Sequence, residues 1–176
     1  MIRASASSIR AVHRREPERA AALREEARAE LAEAVEALAP HPAIYHAGFL
    51  HDAAKKYVEA CCTAALVDGA PLPSADDLGV EGPAWLNGLA EAASELRRHL
   101  LDRLRAGELE AGESLLAAMD DVYDALVAVD LPDALTGGLR RTVDQLRAVL
   151  ERTRGDVTTT VLQMRLQSSI ERAGGG

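Results

Sequence analysis

Glu59, Glu91 and Glu95 have the clearest capacity for chemistry in this chain, because each interrupts an otherwise apolar helical run, YVEACCTAAL or WLNGLAEAASELRRHL. Carboxylates projecting from two facing helices can hold a hard divalent cation such as magnesium, leaving coordination positions for water and a substrate phosphate. The same residues also have plainer readings. Lys55 precedes Glu59 by one helical turn and His51 precedes Lys55 by another, a spacing that would put Glu59 on a solvated stripe in an ordinary ion pair. Glu91 and Glu95 are like charges one turn apart. That spacing costs roughly a few tenths of a kcal/mol unless a cation such as Arg98 or His99 intervenes.

A second constellation is basic. Arg10, His13, Arg14 and Arg15 cluster at the end of the first apolar repeat. Guanidinium groups pair bidentately with phosphate and stack on bases, so these residues are candidate nucleic-acid contacts. The competing reading is that they pair with Glu16 and Glu18 or offset acid elsewhere. The formal charge is -8, yet the two ends of the chain, residues 1–19 and 139–172, are each net positive, and the acid is concentrated between them. The ends are therefore the candidate phosphate-facing surfaces. Of the 20 basic residues only Lys55 and Lys56 are lysines, a composition that suits a salt-rich or GC-rich source.

Other chemistries find little support. No glycine-rich phosphate loop, Ser/His/Asp arrangement or zinc spacing occurs. Cys61 and Cys62 are adjacent, poorly placed to bridge each other, and read as reduced residues on a packed helix. No apolar run approaches the roughly 18 residues of a membrane span, and the N-terminus lacks a hydrophobic signal core, so a cytoplasmic location with no membrane partner is expected.

The elements that must position these residues are helical. With 176 residues, 48% of them hydrophobic but only three Tyr, one Trp and one Phe, the core must be built from Ala, Leu and Val, which favours close helix packing. Ile2, Ala6, Ile9 and Val12 repeat at helical spacing and predict a first helix ending near Arg15. Leu23, Ala27, Leu31, Ala34 and Leu38 predict a second, stopped by Pro40 and Pro42. A third helix is expected from about His46 to Val67, then a short turn capped by Ser74 and Asp77. Leu86, Leu89, Ala93, Leu96, Leu100 and Leu104 form the apolar stripe of a fourth, with Asn87, Glu91, Glu95, Arg98 and Asp102 on a polar stripe. Leu115, Met119, Val122, Leu126 and Val129 mark a fifth. Leu139, Val143, Leu146, Leu150, Val157, Val161 and Met164 mark a long last helix, despite the strand propensity of residues 157–161. The reading is an all-α bundle of about six to seven helices, one domain over 1–172, and a flexible tail over 173–176.

Several stretches, in order along the chain, resemble the translin family, which includes translin and translin-associated protein X. They are SSIRAVHRRE, the KYVEA of Lys56 to Ala60, the LGV of Leu78 to Val80, WLNGLAEAASELRR, VYDAL, and the closing LRRTVDQL and QMRL. The resemblance covers most of the chain, which starts within what looks like the family's first helix. It implies a translin-like all-α fold that assembles into a closed, barrel-like homo-oligomer, often an octamer, and binds single-stranded RNA or DNA. Some family members, translin-associated protein X above all, are magnesium-dependent endoribonucleases whose acids lie in the motifs matched here by KYVEA and AEAASE. Glu59, Glu91 and Glu95 match those metal-binding and catalytic positions. Lys56 stands where the first acid of the pair belongs, which removes a ligand and changes the local charge by two units. The resemblance thus implies nucleic-acid binding, puts catalysis in question, and leaves room for a sister translin-family subunit carrying the missing acid, or for a non-catalytic helical scaffold.

Overall fold

Proline opens and glycine closes several of the helices. In the computed structural model, which describes residues 1–174, the elements are α1 (Ile2–His13), α2 (Pro17–Leu38), α3 (Pro42–Tyr45), α4 (Phe49–Asp68), α5 (Ala75–Leu78), α6 (Gly82–Arg105), α7 (Leu109–Val127), α8 (Asp133–Thr136) and α9 (Leu139–Gly174). Pro17, Pro42 and Pro83 occupy first-turn positions, where the missing N–H costs nothing. At the end of α4 the chain turns through Gly69 at φ 63, a left-handed conformation that a side chain would disfavour. Ser74 and Asp77 form the expected capping box on α5.

The centre of the bundle is α6, which packs against α4, α7 and α9, while α1 and α2 close over the other side of α4. Small residues let α4 and α6 approach closely. Ala60 and Cys62 on α4 and Ala90, Ala92 and Ala93 on α6 are fully buried, and a Cβ added at Gly88 would lie 2.6 Å from Val58 Cβ and 2.7 Å from the Lys55 carbonyl oxygen. Further along α6, Leu96 and Leu100 pack with Leu115, Met119 and Leu150 of α7 and α9. Cys62 is buried and Cys61 half-buried, both as free thiols.

The differences from the sequence reading have local causes. The short helices α3 and α8, following His41 and Pro132, are not among the helices the sequence predicts, because four residues are too few to show periodicity. Asn87 is not on a polar stripe but is buried. Its Nδ2 donates to the Pro83 and Thr136 carbonyls at 2.9 and 2.7 Å, and its Oδ1 accepts from the Thr142 hydroxyl at 2.6 Å. The apolar face of α9 is covered as far as Val161; Met164 beyond it is exposed, as are Leu162, Leu166 and Ile170 on another side of the helix. Of the tail expected over 173–176, residues 173 and 174 continue α9, and the last two lie outside the described residues. Among the described residues no helix is long and apolar enough to cross a membrane.

Candidate nucleic-acid interface and acid cluster

Close packing at Gly88 brings Glu59 on α4 beside Glu91 on α6, one turn from Glu95. Each carboxylate has a partner supplied by the chain. Lys56 Nζ lies 2.6 Å from Glu59 Oε2, Lys55 Nζ 2.9 Å from Glu91 Oε1, and His13 Nε2 2.6 Å from Glu95 Oε1. The expected pairing of Lys55 with Glu59 along one helix is therefore replaced by a bridge between helices. Glu59 is also not on a solvated stripe, since only 4% of it is exposed. Neither Arg98 nor His99 bridges Glu91 and Glu95; Lys55 and His13 do that work from α4 and α1.

The neighbours tune the three acids differently. Burial, opposed by Lys56 and reinforced by the Glu91 carboxylate, pushes the Glu59 carboxyl up to about 7. The His13 hydrogen bond, working against burial, holds Glu95 below the ordinary carboxylate range. Burial pulls the Lys55 ammonium down, but the Glu91 hydrogen bond and the surrounding acid charge outweigh it and raise it.

The oxygen donors suit magnesium in kind, yet the set as a whole does not fit a resident ion. Two ammonium groups already sit among the acids, Lys56 beside Glu59 and Lys55 beside Glu91, and both repel a cation. Among the described residues no three His, Cys, Asp or Glu side chains are arranged to hold a metal.

The basic constellation divides. Arg10, Arg14 and Arg15 are exposed, whereas His13 turns inward with a side chain only 2% exposed, engaged with Glu95 and 6.2 Å from the His99 ring. His13 therefore serves the acid cluster and does not face a ligand from the surface. The sequence reading missed an open groove of about 1160 Å³ between α6 and α9, walled by Glu95, Arg97, Arg98, Arg105, Thr159, Thr160 and Gln163 among others. Arg97 spans it, donating to Asp156 Oδ2 at 2.7 Å and to the Thr153 hydroxyl at 3.1 Å. The spacing of Arg98 and Arg105 along α6, two turns apart, was the signal in the sequence, but nothing there says that α9 lies opposite.

No family model matches the sequence. An uncharacterized protein of Methanocaldococcus jannaschii is 29% identical over 126 residues, covering 71% of this chain and 56% of that protein, so the chain spans just over half the length of the curated relative it matches. Among solved structures, AfC3PO in complex with duplex RNA is 33% identical with a TM-score of 0.83, over 92% of this chain and 84% of that one. AfC3PO solved on its own is 33% identical with a TM-score of 0.82, over 91% and 83% of the two chains. The apo form of NeC3PO, at 23% identity and a TM-score of 0.81 over 90% and 83%, has the same fold. By its identity to AfC3PO over most of both chains, and by its helical architecture, the chain belongs to the C3PO, or translin, family.

Proposed function

We propose that this chain is an RNA-binding subunit of a translin-like homo-oligomer, and that its acid cluster is a neutralised counterpart of a metal site. The observation that carries the reading is the α6–α9 groove, whose wall contains Glu95 of the acid cluster together with Arg97, Arg98 and Arg105. Within the groove Arg97 pairs with Asp156 and Arg105 with Asp102, so Arg98 is the guanidinium group that would meet a phosphate backbone, laid beside Glu95. AfC3PO, solved with duplex RNA, supports RNA as the ligand class. The exposed Arg10, Arg14 and Arg15 extend the basic surface at the end of α1. Single-stranded RNA is the expected form, with duplex RNA and single-stranded DNA as the competitors to compare.

Self-association is supported by the end of α9. Leu162, Leu166 and Ile170, at successive turns, are 59%, 62% and 62% exposed on a helix that outruns the bundle, an apolar stripe that a second subunit would cover. An octameric barrel is the expected assembly, and the molar mass in solution tests it.

RNA retention measured across salt concentrations tests the binding. Loss of affinity on replacing Arg98, with a shallower salt dependence, supports it, whereas salt-independent or absent retention returns the chain to the helical-scaffold reading. A second reading, a magnesium-dependent endoribonuclease using Glu59, Glu91 and Glu95, is favoured by the convergence of those acids on one seam and opposed by Lys55 and Lys56. Labelled RNA incubated with magnesium or with chelator decides it: cleavage that needs the metal and disappears in Glu59→Ala makes the chain an enzyme.

A further inference from the structure

Where the turn between α1 and α2 crosses α4 and α6, a separate cavity of about 350 Å³ is walled by Arg15, Arg24, His99 and Arg103, with Val12 and Val67 beneath them. Its donors are under-used. Arg24 Nη1 and Arg103 Nε are buried yet donate to no acceptor among the described residues. Buried polar groups nearly always have partners, and a guanidinium N–H lacking one is costly to keep dry. The carboxylates nearby do not meet the need. Glu16 accepts from Arg19 at 3.0 Å, Glu108 accepts from a different nitrogen of Arg103, Nη1, at 2.8 Å, and Asp68 is exposed at the rim. Arg15 lines the same cavity, its Nη2 3.9 Å from Glu108 Oε1, from a backbone at φ 58, the only positive φ outside glycine among the described residues.

We infer that this cavity binds a phosphate monoester, held by Arg24 and Arg103 within the walls and Arg15 at the mouth, with His99 contributing a ring nitrogen. The chemistry fits at each point. A phosphate monoester presents three acceptor oxygens and close to two negative charges, and forked guanidinium donors match that geometry bidentately. A volume of about 350 Å³ accepts the phosphate with part of its sugar. The cavity also adjoins the acid cluster, because the His99 ring lies 6.2 Å from that of His13, which in turn bonds to Glu95. Anchoring a strand by a terminal phosphate would therefore set its first nucleotides against the α6–α9 groove. That choice of source rests on the RNA-binding reading; a free mononucleotide or inorganic phosphate shares the chemistry without it.

The test titrates the full chain with inorganic phosphate, with adenosine 5′-monophosphate, and with one RNA oligonucleotide bearing a 5′-phosphate, a 3′-phosphate or only hydroxyl ends. One phosphorylated end is expected to bind on the order of tenfold more tightly than the hydroxyl form. Arg24→Gln and Arg103→Gln are expected to erase that advantage while leaving the hydroxyl form's affinity unchanged, and Arg24→Lys is expected to restore part of it. Circular dichroism of each variant verifies folding, and Arg24→Lys keeps the charge if the Gln variants misfold. Phosphate or the mononucleotide binding in an Arg24-dependent way, with no preference among RNA ends, also supports the cavity and names the free ligand as its source. The inference is overturned if neither small ligand binds and all three RNA ends bind equally, or if the phosphate advantage survives in both Gln variants. Failure of the hydroxyl-ended RNA to bind would count against the RNA-binding reading alone, leaving the small-ligand titrations to decide the cavity.

Discussion

Two ionic regions lie within one His–His contact of each other and are built on opposite principles. On the α4–α6 seam every acid has an internal partner: Lys56 for Glu59, Lys55 for Glu91 and His13 for Glu95. Under the α1–α2 turn, guanidinium nitrogens of Arg24 and Arg103 are buried without acceptors. The first region sets a side chain of the chain itself against each carboxylate, although Glu59 Oε2 and His13 Nδ1 are also buried without a hydrogen-bond partner among the described residues. The second leaves donors unmet, the condition under which an external anion gains most. A charged cluster is thus weak grounds for a binding site until its internal partners are counted.

The largest effect expected from breaking this contrast is at Gly88. A methyl group there would meet Val58 Cβ at 2.6 Å and the Lys55 carbonyl at 2.7 Å, so Gly88→Ala must push α4 from α6. A loss of about 2–3 kcal/mol is expected by chemical denaturation. Arg24→Gln, in the under-satisfied cavity, is expected to change stability by no more than about 0.5 kcal/mol in either direction. A Gly88→Ala protein as stable as the parent would show that the seam is looser than its geometry.

Next is Glu59, whose folded-state carboxyl titrates at about 7 against an ordinary value of 4.5. Between those values the folded chain keeps a proton that the unfolded chain releases. This residue's contribution to stability is therefore fully present below 4.5, falls as pH rises through the window, and is lost above 7. Glu59→Gln should stabilise the protein by about 2 kcal/mol at pH 8 in chelator, and by nothing at about pH 4. Glu95 has the opposite sign. His13 holds its carboxyl below 4.5, so its contribution is present above that value and fades as pH falls through the lowered one. Glu95→Gln should cost about 1 kcal/mol at pH 7 and lose that cost in strong acid. Parallel pH profiles for the two variants would contradict the unequal environments of these neighbours. The smallest effect belongs to the groove. Arg98→Ala should lower the slope of log affinity against log salt by about 1 without altering the fold.

Much of the architecture was legible because long helices repeat their apolar residues. The stripe Leu89, Ala93, Leu96 and Leu100 is buried as its spacing requires, and the Ser74–Asp77 cap is a local motif needing no tertiary information. What failed depended on neighbours distant in sequence. Asn87 shares a helical face with Glu91 and was grouped with it, but the Thr136 carbonyl of α8 and the Thr142 hydroxyl of α9 make it a buried crosslink. His13 was grouped with the arginines beside it in sequence, although its partner lies on α6. Lys55 was paired within its own helix, whereas the gap left by Gly88 lets it reach across to Glu91. The resemblance to a family singles out Glu59, Glu91 and Glu95 as candidate positions. It also shows that Lys56 changes their charge balance, but not that Lys55 crosses to Glu91 or that His13 reaches Glu95.

Calorimetric titration with magnesium, comparing the parent chain with Lys56→Glu, tests that balance most directly. The parent, with an ammonium 2.6 Å from Glu59, should show no magnesium binding in the micromolar range, and Lys56→Glu should gain at least about tenfold in affinity by replacing a repelling cation with an oxygen ligand. Tight magnesium binding by the parent, abolished in Glu59→Gln, would contradict the neutralised site and favour the metal-dependent endoribonuclease reading instead.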